Sequence, residues 1–144
     1  MTVEVATGRF KVGDTAPASR FGPITRTDIV RYAGASGDFN PIHHDETFAK
    51  SAGCPTVFSV GMFQAALLAS FATRWLGAHS IRRYSVRFIE RVWPDDELLF
   101  SGTVVRVEDT PSGREVEVDL NCTRQTGAPA VTGSASFLIP AAPQ

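Results

Sequence analysis

The chain is poor in cysteine, in net charge and in long apolar runs, and each shortage excludes a class of protein. Only Cys54 and Cys122 occur among 144 residues, whereas a secreted scaffold that depended on disulfides would carry more. A reducing compartment is expected. The 14 Lys and Arg nearly balance the 15 Asp and Glu, giving a formal charge of -1. No cationic surplus is left for a phosphate backbone, so no nucleic-acid partner is expected. The most apolar window, Met62 to Leu76, is shorter than the roughly 20 residues that cross a bilayer, and it contains Gln64 and Arg74. It reads as a buried helix and implies no membrane partner. The opening Met1-Thr2-Val3-Glu4-Val5-Ala6 lacks a basic segment followed by an apolar run, so a cytoplasmic location is expected.

What is present describes one domain. No repeat, low-complexity tract or Pro/Ser-rich linker divides residues 1–144, and the tail-like stretch is Pro140 to Gln144. With 43% hydrophobic residues, a chain of this length builds a core without metal or disulfides. Ser19 to Ile24 suits a short strand. Thr25 or Thr27 then caps a helix with Asp28 at its positive end and an apolar stripe of Ile29, Val30 and Ala33, ending at Gly34 or Gly37. Gly37 to His44 has the composition of an ordered turn. Asp45 caps a short helix to Ala52, stopped by Gly53 and Pro55. Met62 to Leu76 is apolar around most of its circumference, and such a helix is expected to be buried nearly all round.

The second half changes to a period of two. Tyr84, Val86 and Phe88 alternate with Arg83, Ser85 and Arg87. Leu98 to Val107 forms the next strand, the Pro111-Ser112-Gly113 turn follows, and Val116, Val118, Leu120 and Cys122 alternate with charged and polar neighbours. A last strand runs from about Ala130 to Ile139. Helices first and strands later predict an α+β protein whose antiparallel sheet wraps one very apolar helix.

The chemistry is concentrated in Ala33 to His43. Within that turn-forming stretch stand a carboxylate, Asp38, an amide, Asn40, and an imidazole, His43. Gly37 removes obstruction beside Asp38, Pro41 stiffens the approach to His43, and Asn40 can donate to the carboxylate or to backbone carbonyls. Taken by residue type, this is either an acid/base pair or a structural turn in which Asp38 caps a helix and His43 makes one hydrogen bond.

Ser36, Gly37, Asp38, Asn40, Pro41 and His43 match every specified position of the Ser/Thr-Gly-Asp-x-Asn-Pro-x-His motif. The segment thereby resembles the MaoC-like (R)-specific enoyl-CoA hydratases and 3-hydroxyacyl-thioester dehydratases. The resemblance implies a single hotdog fold over residues 1–144 and a homodimer, with a heterodimer as the other arrangement. It implies that Asp38 and His43 form a catalytic dyad that activates water, that Asn40 is a positioning residue, and that the backbone N–H of Gly61 forms the oxyanion hole. The implied reaction is reversible hydration of a trans-2-enoyl thioester to an (R)-3-hydroxyacyl thioester. Coenzyme A or acyl carrier protein would serve as substrate carrier, with no metal and no other cofactor. Val60 departs from the family, many of whose members have His before this glycine; the backbone donor survives the change.

Other chemistries remain beside it. Asp38, His43, His44 and Asp45 carry metal-ligand atoms but lack an HExxH-type spacing. Ser59 has no Gly-x-Ser-x-Gly frame and Cys54 no evident partner base. Hotdog proteins also include acyl-thioester hydrolases, and a noncatalytic acyl-binding or stabilising subunit of a heterodimeric dehydratase would share the fold. Arg74, Arg82, Arg83, Arg87 and Arg91 are either phosphate contacts or a solvated face.

Overall fold

The computed structural model describes residues 10–141. The opening stretch read above and the end of the tail lie outside the described residues. Strand β1, Ser19–Phe21, is followed by helix α1, Arg26–Ser36, a short 3-10 turn at Pro41–His43, helix α2, Glu46–Ser51, and helix α3, Gly61–Leu76. The four long strands are β2, Ile81–Phe88, β3, Leu98–Thr110, β4, Gly113–Arg124, and β5, Pro129–Ile139. This is the expected α+β hotdog arrangement.

Local chemistry sets the helix ends. The Thr25 hydroxyl accepts from Asp28 N–H while the Asp28 carboxylate accepts from Thr25 N–H, a reciprocal capping box. Gly37 ends α1 at φ 74, a left-handed conformation that glycine adopts without a Cβ penalty. Asp45 caps α2 by accepting from Phe48 N–H. Strand β1 stops earlier than expected, at Phe21, because Gly22 at φ 141 and Pro23, which has no N–H, break the ladder.

All pairings are antiparallel in the order β1-β3-β4-β5-β2. Strand β2 therefore lies at the sheet edge beside β5, away from its sequence neighbour β3, and residues 89–97 make the return. The inward faces are those the alternation predicts. Val116, Val118, Leu120 and Cys122 of β4 are buried with Leu98, Phe100 and Val104 of β3 and Val131, Ala135 and Phe137 of β5. They pack against Leu68, Phe71, Ala72 and Leu76 of α3. A Cβ at Gly102 would lie 2.9 Å from the Trp75 ring and 3.2 Å from Leu120, so glycine there lets helix and sheet approach closely.

Helix α3 differs from expectation on its outer side. Gln64, Ala65, Leu68, Phe71, Ala72 and Leu76 are buried, whereas Met62, Ala66, Ser70 and Arg74 form an exposed line at helical spacing. One sheet covers one face of a helix, and no other described element covers the opposite one. Val30 of α1 is exposed for the same reason, while Ile29 and Ala33 are buried. Both cysteines are free and buried, and burial pushes the Cys122 thiol up to about 12. Among the described residues no helix is long and apolar enough to cross a membrane.

Two substitutions test this packing by urea denaturation. Leu68→Ala should lose about 3 kcal/mol through lost contacts and a cavity. Gly102→Ala should lose roughly 1–3 kcal/mol by pushing a methyl group into Trp75. Unchanged midpoints for both would contradict the helix-on-sheet core.

Candidate active site

The loop after α1 folds by short-range hydrogen bonds that its composition makes available. The Asn40 side-chain oxygen accepts from Ile42 N–H at 3.1 Å and caps the 3-10 turn. The Asn40 backbone N–H donates to Asp38 Oδ1 at 3.2 Å. Asn40 thus supports the carboxylate through its main chain, while its side chain braces the turn that carries His43. The turn is further closed by His43 N–H and His44 N–H donating to the carbonyls of Asn40 and Pro41.

This turn brings Asp38 and His43 together. His43 Nε2 lies 3.7 Å from Asp38 Oδ2, with the imidazole side chain 9% exposed and the carboxylate side chain 41% exposed. That separation exceeds a direct hydrogen bond, yet one water can reach both atoms. The other ring nitrogen, Nδ1, lies 2.7 Å from the Phe58 carbonyl oxygen. A carbonyl only accepts, so Nδ1 carries a proton, and in the neutral form of the ring the Nε2 lone pair faces Asp38. The Phe58 ring also meets the imidazole edge-on, with centroids 5.1 Å apart. His43 is thus held in orientation by one residue on another segment.

That segment is itself anchored. Ser59 N–H donates to the Val92 carbonyl at 2.8 Å, and the Ser59 hydroxyl donates to Gln64 Oε1 of α3 at 2.8 Å. Ser59 is buried and committed to these bonds, so its role is local structure. Arg26 joins the surrounding elements, donating to Glu46 of α2 at 2.7 Å and to the Thr56 hydroxyl at 2.9 Å. Trp93 packs edge-on against Phe58 at 5.7 Å, and the Arg91 guanidinium lies 4.8 Å from the Phe58 ring centroid.

Gly61 begins α3, three residues after Phe58. Its N–H stands in the first turn, where helix amides lack intrahelical acceptors and the dipole favours negative charge. Val60 is the N-cap and supplies no side-chain hydrogen bond. A Cβ at Gly61 would lie 3.2 Å from the Phe88 ring, so glycine keeps this entrance from crowding Phe88. His44 is exposed and His43 buried, so the adjacent imidazoles do not converge. Among the described residues no group of three or more His, Cys, Asp or Glu is arranged to hold a metal ion.

Sequence reasoning missed the support behind this loop. Asp96 is 3% exposed. Its carboxylate accepts from Arg124 Nε at 2.7 Å and Nη2 at 3.1 Å, from Gln125 Nε2 at 2.8 Å, and from Trp93 N–H at 2.8 Å. The local signal was Trp93-Pro94-Asp95-Asp96, a turn sequence. The distant partner Arg124 had none.

The sequence matches the MaoC like domain family over residues 10–126. It is 49% identical over 70 residues to 3-hydroxyacyl-thioester dehydratase X of Mycobacterium tuberculosis, a match covering 48% of this chain and 24% of that protein. The chain thus spans about a quarter of the length of that curated relative. The fold resembles the A. caviae (R)-hydratase involved in PHA biosynthesis, with a TM-score of 0.80 and 26% identity over 91% of this chain and 98% of that one. It equally resembles a chain of the ChsH1-ChsH2 complex from Mycobacterium tuberculosis, with a TM-score of 0.80 and 25% identity over 91% and 99% of the two chains.

Burial pushes the Asp96 carboxyl up, but the hydrogen bonds from Arg124, Trp93 N–H and Gln125, together with the Arg124 charge, outweigh it and hold the pKa below the usual value. A depressed folded pKa contributes stability that is present above the unfolded value of about 4 and is lost as pH falls through the folded one. Asp96→Asn should therefore cost about 3 kcal/mol at neutral pH and make the acid limb of the stability profile shallower. A parallel profile, merely shifted down, would contradict this assignment.

Proposed function

The chain belongs to the MaoC like domain family, and from that premise we propose that it is a hydro-lyase, hydrating trans-2-enoyl thioesters reversibly to (R)-3-hydroxyacyl thioesters. The observation that carries this reading is the pairing of Asp38 Oδ2 with His43 Nε2 at 3.7 Å, while Nδ1 is occupied by the Phe58 carbonyl. Two acceptors at that separation hold one water between them and leave its oxygen lone pairs for attack. In this reading Asp38 and His43 are the catalytic residues, Asn40 is a positioning residue, and residues 1–144 act as one domain.

The reaction follows from the electronics of a conjugated thioester. The carbonyl withdraws electrons from the 2,3-double bond, so the water oxygen bonds to C3 and its proton passes to the dyad. The π electrons move toward C2 and the carbonyl oxygen. The backbone N–H of Gly61 faces this developing charge from the start of α3, where its hydrogen bond and the helix dipole act together. Return of a proton to C2 completes hydration, and the reverse sequence dehydrates. Which of the two residues handles which proton belongs to the pair as a unit. The M. tuberculosis relative named as a 3-hydroxyacyl-thioester dehydratase and the A. caviae neighbour named as an (R)-hydratase support the substrate class and the product configuration.

Coenzyme A or acyl carrier protein serves as the carrier, with no metal or further cofactor assigned a step. The assembly in this proposal is a homodimer. It is supported by β2 at the sheet edge and by Met62, Phe88 and Ile89, which are 54%, 51% and 47% exposed. The ChsH1-ChsH2 complex among the neighbours supports a heterodimer as the second arrangement. Light scattering distinguishes these, since a chain active alone at twice its monomer mass requires no different partner. A reduced, cytoplasmic setting fits both free thiols.

Four substitutions test the site with an enoyl-CoA substrate, followed by loss of the conjugated thioester absorbance. Asp38→Asn and His43→Ala should each lower kcat by about a hundredfold or more. Gly61→Pro removes the backbone donor at a helix position that tolerates proline, and Val60 already has the ψ of 123° suited to precede it. Gly61→Ala adds a Cβ while retaining the N–H. The proline variant should be slower than the alanine variant by roughly a hundredfold or more in kcat. Equal rates for the two would remove Gly61 from the oxyanion hole, and wild-type rates in Asp38→Asn and His43→Ala would remove the dyad.

A further inference from the structure

The peptide unit that binds His43 does so at one end only; its other end continues the chain of hydrogen bonds. The Phe58 carbonyl and the Ser59 N–H belong to the same peptide group. The carbonyl accepts from His43 Nδ1 at 2.7 Å, and the N–H donates to the Val92 carbonyl at 2.8 Å. The Val92 carbonyl and the Trp93 N–H again share one peptide group, and that N–H donates to Asp96 Oδ2 at 2.8 Å. From imidazole to buried carboxylate the donors all point the same way.

We propose that Asp96, held by Arg124, is a positioning residue for His43, acting through the Val92-Trp93 and Phe58-Ser59 peptide groups. This assignment deepens the hydratase reading and rests on it for the part that concerns rate. A carboxylate at the end of such a chain polarises the Trp93 N–H, which makes the Val92 carbonyl a better acceptor and, one step further, the Phe58 carbonyl as well. His43 is thereby fixed with its proton on Nδ1 and its lone pair on Nε2. A carboxylate directly on Nδ1 would achieve the same effect more strongly. Here the two peptide groups place it at a distance.

The surroundings fit a rigid device. Asp96 also donates its own N–H to the Trp93 carbonyl at 3.1 Å and accepts at its carbonyl from Ile24 N–H at 2.8 Å, so the turn that contains it is tied to the segment leading into α1. Asp95 holds φ 73 within that turn, a conformation that Asp tolerates better than most residues. Two donors of Arg124 and one of Gln125 fix both carboxylate oxygens. The Trp93 ring packs on Phe58 from the same turn, so the side chains and the peptide groups align the same two segments.

The test separates this role from simple stabilisation and from the hydratase reading. Ring nitrogen-15 spectra of the three histidines report directly which nitrogen of His43 carries the proton. In the wild type the neutral form of His43 should be Nδ1–H alone. In Asp96→Asn the Nδ1–H and Nε2–H forms should mix, with kcat down about tenfold and KM within about twofold. Arg124→Lys keeps a cation but loses the two-pronged grip, and should shift both readouts in the same direction by less; it carries the test if Asp96→Asn does not fold. Val104→Ala, a buried change in β3, should lower the melting temperature while leaving the His43 nitrogens and kcat as they were. Wild-type nitrogen signals and rate in the folded Asp96 or Arg124 variant would overturn the proposal, as would equal changes in Val104→Ala. A wild type without hydratase activity whose His43 nitrogens still respond to Asp96→Asn would retain the positioning role and remove the reaction assigned to it.

Discussion

A backbone carbonyl cannot donate a hydrogen bond, and in this fold that limitation decides the chemistry of an imidazole. The Phe58 carbonyl at 2.7 Å from Nδ1 sets the tautomer of His43 and turns Nε2 toward Asp38. Rotation of the Phe58-Ser59 peptide group would undo both. The fold resists that rotation from two sides: through Ser59 N–H on Val92 and through the Ser59 hydroxyl on Gln64 of α3. Helix α3 therefore anchors the peptide behind the imidazole and, in the proposed reaction, presents the Gly61 amide one turn earlier.

The position of α3 depends in turn on the sheet. Leu68, Phe71 and Ala72 bury against β3, β4 and β5, and Tyr84 of β2 donates to the Ala65 carbonyl at 2.6 Å. Burial pushes the Tyr84 hydroxyl up to about 12, so it remains a donor at any working pH. Residues 89–97, the return from edge strand β2 to β3, carry both the Val92 carbonyl and the Asp96 carboxylate. The crossing that sets the strand order thus also delivers the groups behind His43.

What could be read in the sequence was local. Thr25 with Asp28, and Asp45 with Phe48 N–H, cap helices within one turn of chain, so composition and spacing carry the signal. The alternation in β4 revealed its buried face because side chains in a strand change sides at every residue. Asp38, Asn40 and His43 lie in one ordered turn, so their convergence could be anticipated. The placement of β2 beside β5 could not, because pairing between distant strands leaves no mark in either strand alone. The partner of Nδ1 is a main-chain oxygen, which every residue possesses. Asp96 and Arg124 meet although 28 positions separate them in sequence, and Ser59, a hydroxyl outside any nucleophile frame, acquires its structural role only when Gln64 and Val92 are placed around it. The all-round burial expected of α3 failed for a related reason: hydropathy counts apolar residues, whereas the number of faces covered is set by what packs there.

The central claim is that the dyad directs water to C3 of an enoyl thioester, leaving the thioester bond intact. Hydration of a trans-2-enoyl-CoA in oxygen-18 water, with mass analysis of the products, tests this most directly. The account predicts one labelled oxygen, in the (R)-3-hydroxyl group, with the acyl chain still attached to its carrier. Label in a free carboxylate with released thiol would contradict it, because the water would then have attacked the carbonyl carbon.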